Sequence, residues 1–308
     1  MSSHQRVWIA LLAVYLIWGS TYLAIRVAVQ TVPPFLMGGV RFIIAGGLMY
    51  AVLRLRGAAK PTRRHWMAAT VIGGLLILGG NGGIVWAEQC IPSGLAALLV
   101  ASEPLWVVVV DWIRPRGSRP LAAEVFGLLL GFAGVAWLIS PAQLVGGSVE
   151  VHPVGALVVV VAALSWAIGS VYSRHTPSPE SQFLATAMKM LCGGTLLLLL
   201  GASTGELGRF ATATITPASM VAWAYLIVFG SWIGFVAYIW LLKNTTLARA
   251  STYAYVNPIV AVVLGWLILD EPLTLRVVAA AGVIVGSVVI ITLARKPVKT
   301  ITAEHAAA

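Results

Sequence analysis

Charge is what this sequence has least of. Only 10% of its 308 residues are Asp, Glu, Lys or Arg, and 59% are hydrophobic, whereas a soluble domain carries about 25% charged residues. A chain so poor in charge cannot cover its own surface in water, which excludes an ordinary soluble fold. Acidic side chains are scarcest, ten against 20 basic ones, for a net charge of +10. That excess does not point to nucleic acid, because such a surface gathers Lys and Arg on one solvated face, and here they are strewn between apolar runs. Cysteine is limited to Cys90 and Cys192, in separate apolar segments with no CxxC spacing. Neither a disulfide framework nor a zinc site follows, and no metal or cofactor is expected. HExxH, GxSxG and a glycine-rich phosphate loop are also missing, and with them the signatures of hydrolases and ATP-driven machines.

What the sequence has in abundance is long apolar runs. A helix needs roughly 20 apolar residues to cross a bilayer, because backbone groups in hydrocarbon must be satisfied within the helix. Ten such runs are present, at 7–28, 34–53, 66–88, 92–113, 122–140, 153–173, 182–203, 217–241, 248–269 and 274–294. The first is too long for a signal-peptide core and lacks a small-residue cleavage site, so it reads as a retained helix. Lys and Arg stay on the cytoplasmic side during insertion. With a cytoplasmic N-terminus, that side holds Arg6, the five basic residues from Arg54 to Arg64, three from Arg114 to Arg119, Arg174, Lys243, Arg249, and three from Arg295 to Lys299; the other side holds only Arg209 and Arg276. Both termini are therefore expected in the cytoplasm, the protein in the cell inner membrane, and the lipid bilayer as its main partner.

The two halves repeat one another at uncommon residues. Gly19, Ser20 and Tyr22 match Gly169, Ser170 and Tyr172; Phe35, Leu36, Arg41 and Gly46 match Phe183, Leu184, Lys189 and Gly194; Trp86, Pro104 and Trp112 match Trp240, Pro258 and Trp266. Gly127 and Gly131 resemble Gly282 and Gly286, pairs spaced to let helices approach closely. Five spans is an odd number, so the second half enters the membrane upside down. The expected fold is all-α and polytopic: ten transmembrane helices as two inverted five-helix repeats, residues 1–145 and 146–308. Inverted repeats commonly build transporters that alternate between two faces around a central site.

Trp18, Gly19 and Ser20, Arg41 and Phe42, Pro104, Asn257 and Pro258, and the run Asp270, Glu271 and Pro272 followed by Gly282 and Gly286 together resemble the drug/metabolite transporter superfamily, specifically its ten-span EamA-type exporters. The resemblance implies export of a small-molecule substrate (amino acids, related metabolites or drugs) by alternating access, often with protons as a second partner. Glu103 departs from it, standing before the helix-four proline where a neutral residue is expected. A channel or facilitator without coupling is the alternative reading, and a membrane-embedded enzyme a third, more distant one.

Several residues are candidates for carrying substrate or protons. An ionisable group at mid-membrane is costly unless it faces protein or water, and Glu103 lies roughly 16 Å inside its span at the rise of an α-helix. It is a proton carrier, or else one half of a fixed ion pair or hydrogen-bonded to a neighbouring helix. Arg41 and Lys189, each about 10 Å from opposite faces, serve as gates or as structural charges at helix contacts. Pro104 and Pro258 remove an amide donor and are expected to kink helices four and nine. Asn257, Ser20 and Asn81 could line a path, as could Ser102 and Thr252, or could only bond helices together. Trp18, Trp106, Trp166, Tyr253 and Tyr255, with Tyr238, offer apolar pocket wall with a polar tip, or plain packing. Arg26 reads as an interface anchor, and Asp111 and Glu88, near span ends, as solvated or capped.

Overall fold

The computed structural model describes residues 3–115, 117–140, 152–245 and 252–294. The expected repeat boundary after residue 145, the first residues of span nine (248–251), and Arg116, Arg249, Arg295, Lys296 and Lys299 lie outside the described residues, as does the side chain of Lys243. The chain is an all-α polytopic membrane fold. Its helices are α1 (Ser3–Ala28), α2 (Pro34–Leu55), α3 (Arg63–Ala87), α4 (Ser93–Ile113), α5 (Ala122–Ile139), α6 (Pro153–Ser173), α7 (Gln182–Ser203), α8 (Pro217–Leu241), α9 (Tyr253–Leu269) and α10 (Leu275–Ala294). A seven-residue helix, Glu206–Thr212, lies between α7 and α8. All but the shorter α9 are long and apolar enough to cross a bilayer.

Local chemistry starts and stops these helices where apolar length alone would leave them ragged. Thr62 accepts from the His65 N–H at the start of α3, Ser181 from Leu184 at the start of α7, and Thr216 from Ser219 at the start of α8, each satisfying a donor that the first turn leaves open. At the end of α9, Asp270 adopts a left-handed backbone with φ of 52°, and the Glu271 N–H turns back to the Gly265 carbonyl at 3.1 Å.

Two irregularities were not foreseen. α3 and α8 each contain a π-helical stretch, Gly74–Asn81 and Leu226–Ile233. The two stretches stand at the same 152-residue offset at both ends. Helix four, expected to bend at Pro104, is instead two helices, Ser93–Val100 and Glu103–Ile113, joined by a turn at Ala101 and Ser102. Pro104 sits in the first turn of the second piece, where a missing N–H leaves no bond broken. Pro258 does lie inside its helix.

Helix pairing follows the order of the halves. α2 packs on α7 and α5 on α10; α1 packs on α9 as α6 does on α4, and α1 on α8 as α6 does on α3. Each contact has its counterpart five helices along. The expected close approach of helices at Gly127 and Gly131 holds, since a Cβ there would meet Ile291 and Leu105, but Gly282 and Gly286 have nothing within 4 Å.

The apolar core is uneven along the bundle axis. At the end carrying the α1–α2, α3–α4 and α9–α10 connections, Ala87, Leu95, Leu99, Leu138, Val159 and Ile284 form one buried cluster, and Ile25, Met37, Val85, Ala162, Trp223 and Leu226 another. Tyr22 and Val100 pack against both, so most of the bundle's helices close on one another there. At the opposite end the core divides into three: Val7, Leu11, Val14 and Leu241 of α1 and α8; Leu105, Val108, Leu128, Val288 and Ile291 of α4, α5 and α10; and Ala69, Leu184 and Met188 of α3 and α7.

Candidate functional site

The break in α4 puts Glu103 at the first position of a helix midway through its span. Glu103 is half-buried. Within its electrostatic reach are Tyr22 of α1, Tyr238 of α8, Tyr253 of α9, and Arg174 just past the end of α6.

Three helices supply an aromatic cluster beside Glu103. Trp18 lies with its ring centroid 5.1 Å from Tyr238, 5.1 Å from Tyr253 and 5.2 Å from Phe235, and Tyr238 is 5.4 Å from Tyr253. Edge-to-face contacts of this kind hold rings more firmly than burial alone. The Trp18 Nε1 donates to the Gly230 carbonyl at 3.2 Å, inside the π-helical stretch of α8, and the Tyr15 hydroxyl bonds that of Thr252 at the start of α9. Ser20, two residues beyond Trp18, bonds the Tyr225 hydroxyl at 2.7 Å.

Asn257 is one turn beyond Tyr253, buried, with an Oδ1 that makes no hydrogen bond among the described residues. Its backbone carbonyl passes 3.3 Å from where a Gly19 Cβ would stand, which fixes α9 against α1. Glu103, Trp18, Tyr253, Tyr238, Ser20 and Asn257 thus belong to neighbouring turns of α1, α4, α8 and α9.

Other candidates lie elsewhere. Trp106 faces Phe132 of α5 at 4.6 Å, and Tyr255 lies against the α4, α5 and α10 cluster. Trp166 lies across Gly80 of α3, beside Ser165, whose hydroxyl donates to the Leu75 carbonyl at 2.8 Å; Asn81 ends that π-helical stretch and is half-buried. Arg41 is buried, donates its Nε to the Ser231 hydroxyl of α8 at 2.6 Å, and stacks 4.8 Å from the Phe42 ring. Lys189 is half-buried where α7 crosses α3. Ser102 bonds back to the Leu99 carbonyl at 2.6 Å and so serves the turn in α4.

Two expectations are corrected. Glu88 is neither solvated nor capped: it is fully buried, and neither carboxylate oxygen has a hydrogen-bond partner among the described residues. Arg26 is no interface anchor, since its guanidinium turns inward to the Glu88 backbone carbonyl. Asp111 is capped as expected, pairing with Arg114 at 2.6 Å.

Glu271 has a role that no local pattern reveals. Its carboxylate accepts from the Ser93 N–H at 2.7 Å and the Gly94 N–H at 3.0 Å, capping α4 from 177 residues away in the chain. The residue before α4 is Pro92, with no side-chain cap to offer, and Gly265 leaves room where a Cβ would strike the carboxyl. Hydrogen bonds to a charged acceptor contribute about 1.5–3 kcal/mol each. Glu271→Ala, which removes both, is therefore expected to lower stability by roughly 3–6 kcal/mol, read as a fall in the melting midpoint of the detergent-solubilised protein; an unchanged midpoint would show that the cap does nothing. Glu206 does the same for α2, accepting from Leu36 N–H at 2.8 Å and Phe35 N–H at 3.3 Å.

The chain has relatives among known proteins. The model of the EamA-like transporter family matches residues 6–140 and again residues 153–293. The chain is 41% identical over 287 residues to the "Uncharacterized inner membrane transporter YedA" of Escherichia coli (strain K12), covering 93% of this chain and 90% of that one. It is 29% identical to the "Uncharacterized transporter YvbV" of Bacillus subtilis (strain 168), covering 94% and 93%. A crystal structure 23% identical to it superposes with a TM-score of 0.60 over 95% of this chain and 98% of the other, a likeness of fold alone. With both halves of its length matched, the chain belongs to the EamA-like transporter family.

Proposed function

We propose that the chain is a secondary transporter of the inner membrane that exports a small metabolite, an amino acid or a related compound, by alternating access coupled to protons. Residues 1–145 and 146–308 are inverted repeats, and both termini are cytoplasmic. Family membership and the inner-membrane relative support membrane transport. The paired helix contacts and the π-helical stretches at one offset support the duplication, and the basic residues support the orientation.

One observation carries the mechanism. Glu103 is a half-buried acid at a helix break in mid-span, with tyrosines from helices of both halves in its electrostatic reach and Trp18 packed on two of them. On this reading a water-filled crevice opens beside Glu103 during the cycle: an acid so placed can exchange a proton with that water, and the aromatic wall can hold the apolar part of a substrate. The closed core at one end and the divided core at the other fit a bundle sealed outside and parted inside. Arg41 and Lys189 act at the two faces as structural charges between moving helices.

The test is flux in proteoliposomes. Labelled amino acids and organic cations are offered one at a time, with and without an imposed pH gradient. The expected result is saturable flux of at least one compound, accelerated by the gradient. Flux that grows linearly with concentration and ignores the gradient would make the chain a facilitator instead.

A further inference from the structure

The sealed end of the bundle closes around a carboxylate to which no described residue donates. Glu88, between α3 and α4, is fully buried beside Ala87 and Ile91 of the core, and neither oxygen is bonded among the described residues. Charged and titratable groups nevertheless converge on it: Arg26 and Tyr22 from α1, Arg41 from α2, and Glu271 from the turn after α9. α6 brings Gly155 against Cys90 and Ile91, with His152 occupied at 3.2 Å by the Gly155 N–H.

The two guanidiniums stand by without bonding the carboxylate. Arg26 gives itself to the Glu88 backbone carbonyl, and Arg41 gives its Nε to Ser231 while its Nη1 has no partner among the described residues. An ionised carboxyl in an apolar core without donors is penalised by several kcal/mol, and the neutral acid far less. The sealed arrangement therefore suits neutral Glu88. If the helices part, water reaches the carboxyl or a guanidinium swings onto it, and the charged form is favoured.

We propose that Glu88 is a second proton-binding site, loaded while its end of the bundle is sealed and emptied when that end opens. The carboxylate takes one proton from a hydronium ion in the water on its own face, leaving a neutral water molecule, and no other bond forms or breaks. Proton binding there thus closes the gate. The inference rests on the transporter reading above, but it places a proton at the gate in addition to the one at the substrate crevice.

Cys90, two residues along and half-buried, reports the opening. The probe is a membrane-impermeant maleimide applied to the full chain in proteoliposomes, with Cys192→Ala so that only Cys90 reacts, and with rates normalised to free cysteine at each pH. In the parent chain the normalised rate should rise with pH, by up to about tenfold per pH unit, the limit for one linked proton. In Glu88→Gln, a neutral mimic, it should stay low and flat. A Gln variant that keeps the parent slope overturns the proposal.

Should the Gln variant fail to fold, Arg26→Gln tests the same claim. Removing the neighbouring cation favours the neutral acid, so the midpoint of the labelling curve moves to higher pH. An unmoved midpoint overturns the proposal. Flux and labelling fail independently: a chain that transports but labels alike with and without Glu88 loses only the gate site. A chain without flux whose labelling still depends on Glu88 keeps the site and loses the transporter reading.

Discussion

Glu103→Gln should abolish concentrative transport while leaving substrate exchange intact. Glutamine keeps the shape of the protonated acid and its place at the head of the second α4 segment, so the crevice and its aromatic wall persist. What it lacks is the second protonation state. Under alternating access with coupling, a pH gradient of one unit can drive up to about tenfold accumulation per proton, since 1.4 kcal/mol corresponds to tenfold. The variant should therefore lose roughly tenfold in accumulation for each pH unit imposed. Counterflow between equal pH values, which moves no net proton, should stay near the parent rate. Glu103→Asp, which titrates, should recover part of the pumping. A Gln variant that still accumulates substrate in response to the gradient would remove Glu103 from the coupling step and leave it as a structural acid within the electrostatic reach of Arg174.

Most of the fold was legible in the sequence because the bilayer makes one demand of every span, and apolar length answers it. The observed helices fall within a few residues of the expected runs throughout the described chain. What the sequence conceals is whatever depends on neighbours. The break at Ala101 and Ser102 has no glycine, and Pro104 alone reads equally as a kink or as the start of a new helix. The π-helical stretches of α3 and α8 carry no residue signature either; they show in the side chains that reach their carbonyls, Ser165 to Leu75 and Trp18 to Gly230. For the site, depth in the span singled out Glu103, and Trp18 and Tyr253 stood out as aromatic residues on interior spans, but nothing in the sequence set those two against one another. Tests of the same kind failed for Glu88, which stands at the edge of its span where acids are usually wet. Only the closure of α1, α2 and the α9–α10 turn over that edge buries it.

The contact of α3 with α7 should be the least forgiving place in the bundle. A Cβ on Gly73 would stand 2.6 Å from the Lys189 carbonyl oxygen and 2.8 Å from the Gly193 nitrogen. Both obstacles are backbone, so no rotamer change can make room, and α3 must move away from α7. Gly193 faces the Gly73 carbonyl at 2.6 Å in the same way, so the two glycines form one contact seen from either helix. Small residues matter here because helices in lipid are held by close packing rather than by the hydrophobic effect. Overpacking of this kind destabilises by about 1–3 kcal/mol for a methyl group, and Gly73→Leu should exceed that range. Gly282→Ala provides the control, because a Cβ there meets nothing within 4 Å, and exchanging glycine for alanine in a helix gains up to about 1 kcal/mol. The melting midpoint of Gly73→Ala in detergent should fall clearly below the parent's, that of Gly73→Leu further still, and that of Gly282→Ala should hold or rise. Equal midpoints for the Gly73 and Gly282 alanine variants would mean that α3 and α7 do not touch as closely as this, and the inner half of the bundle would then have to be held by other contacts.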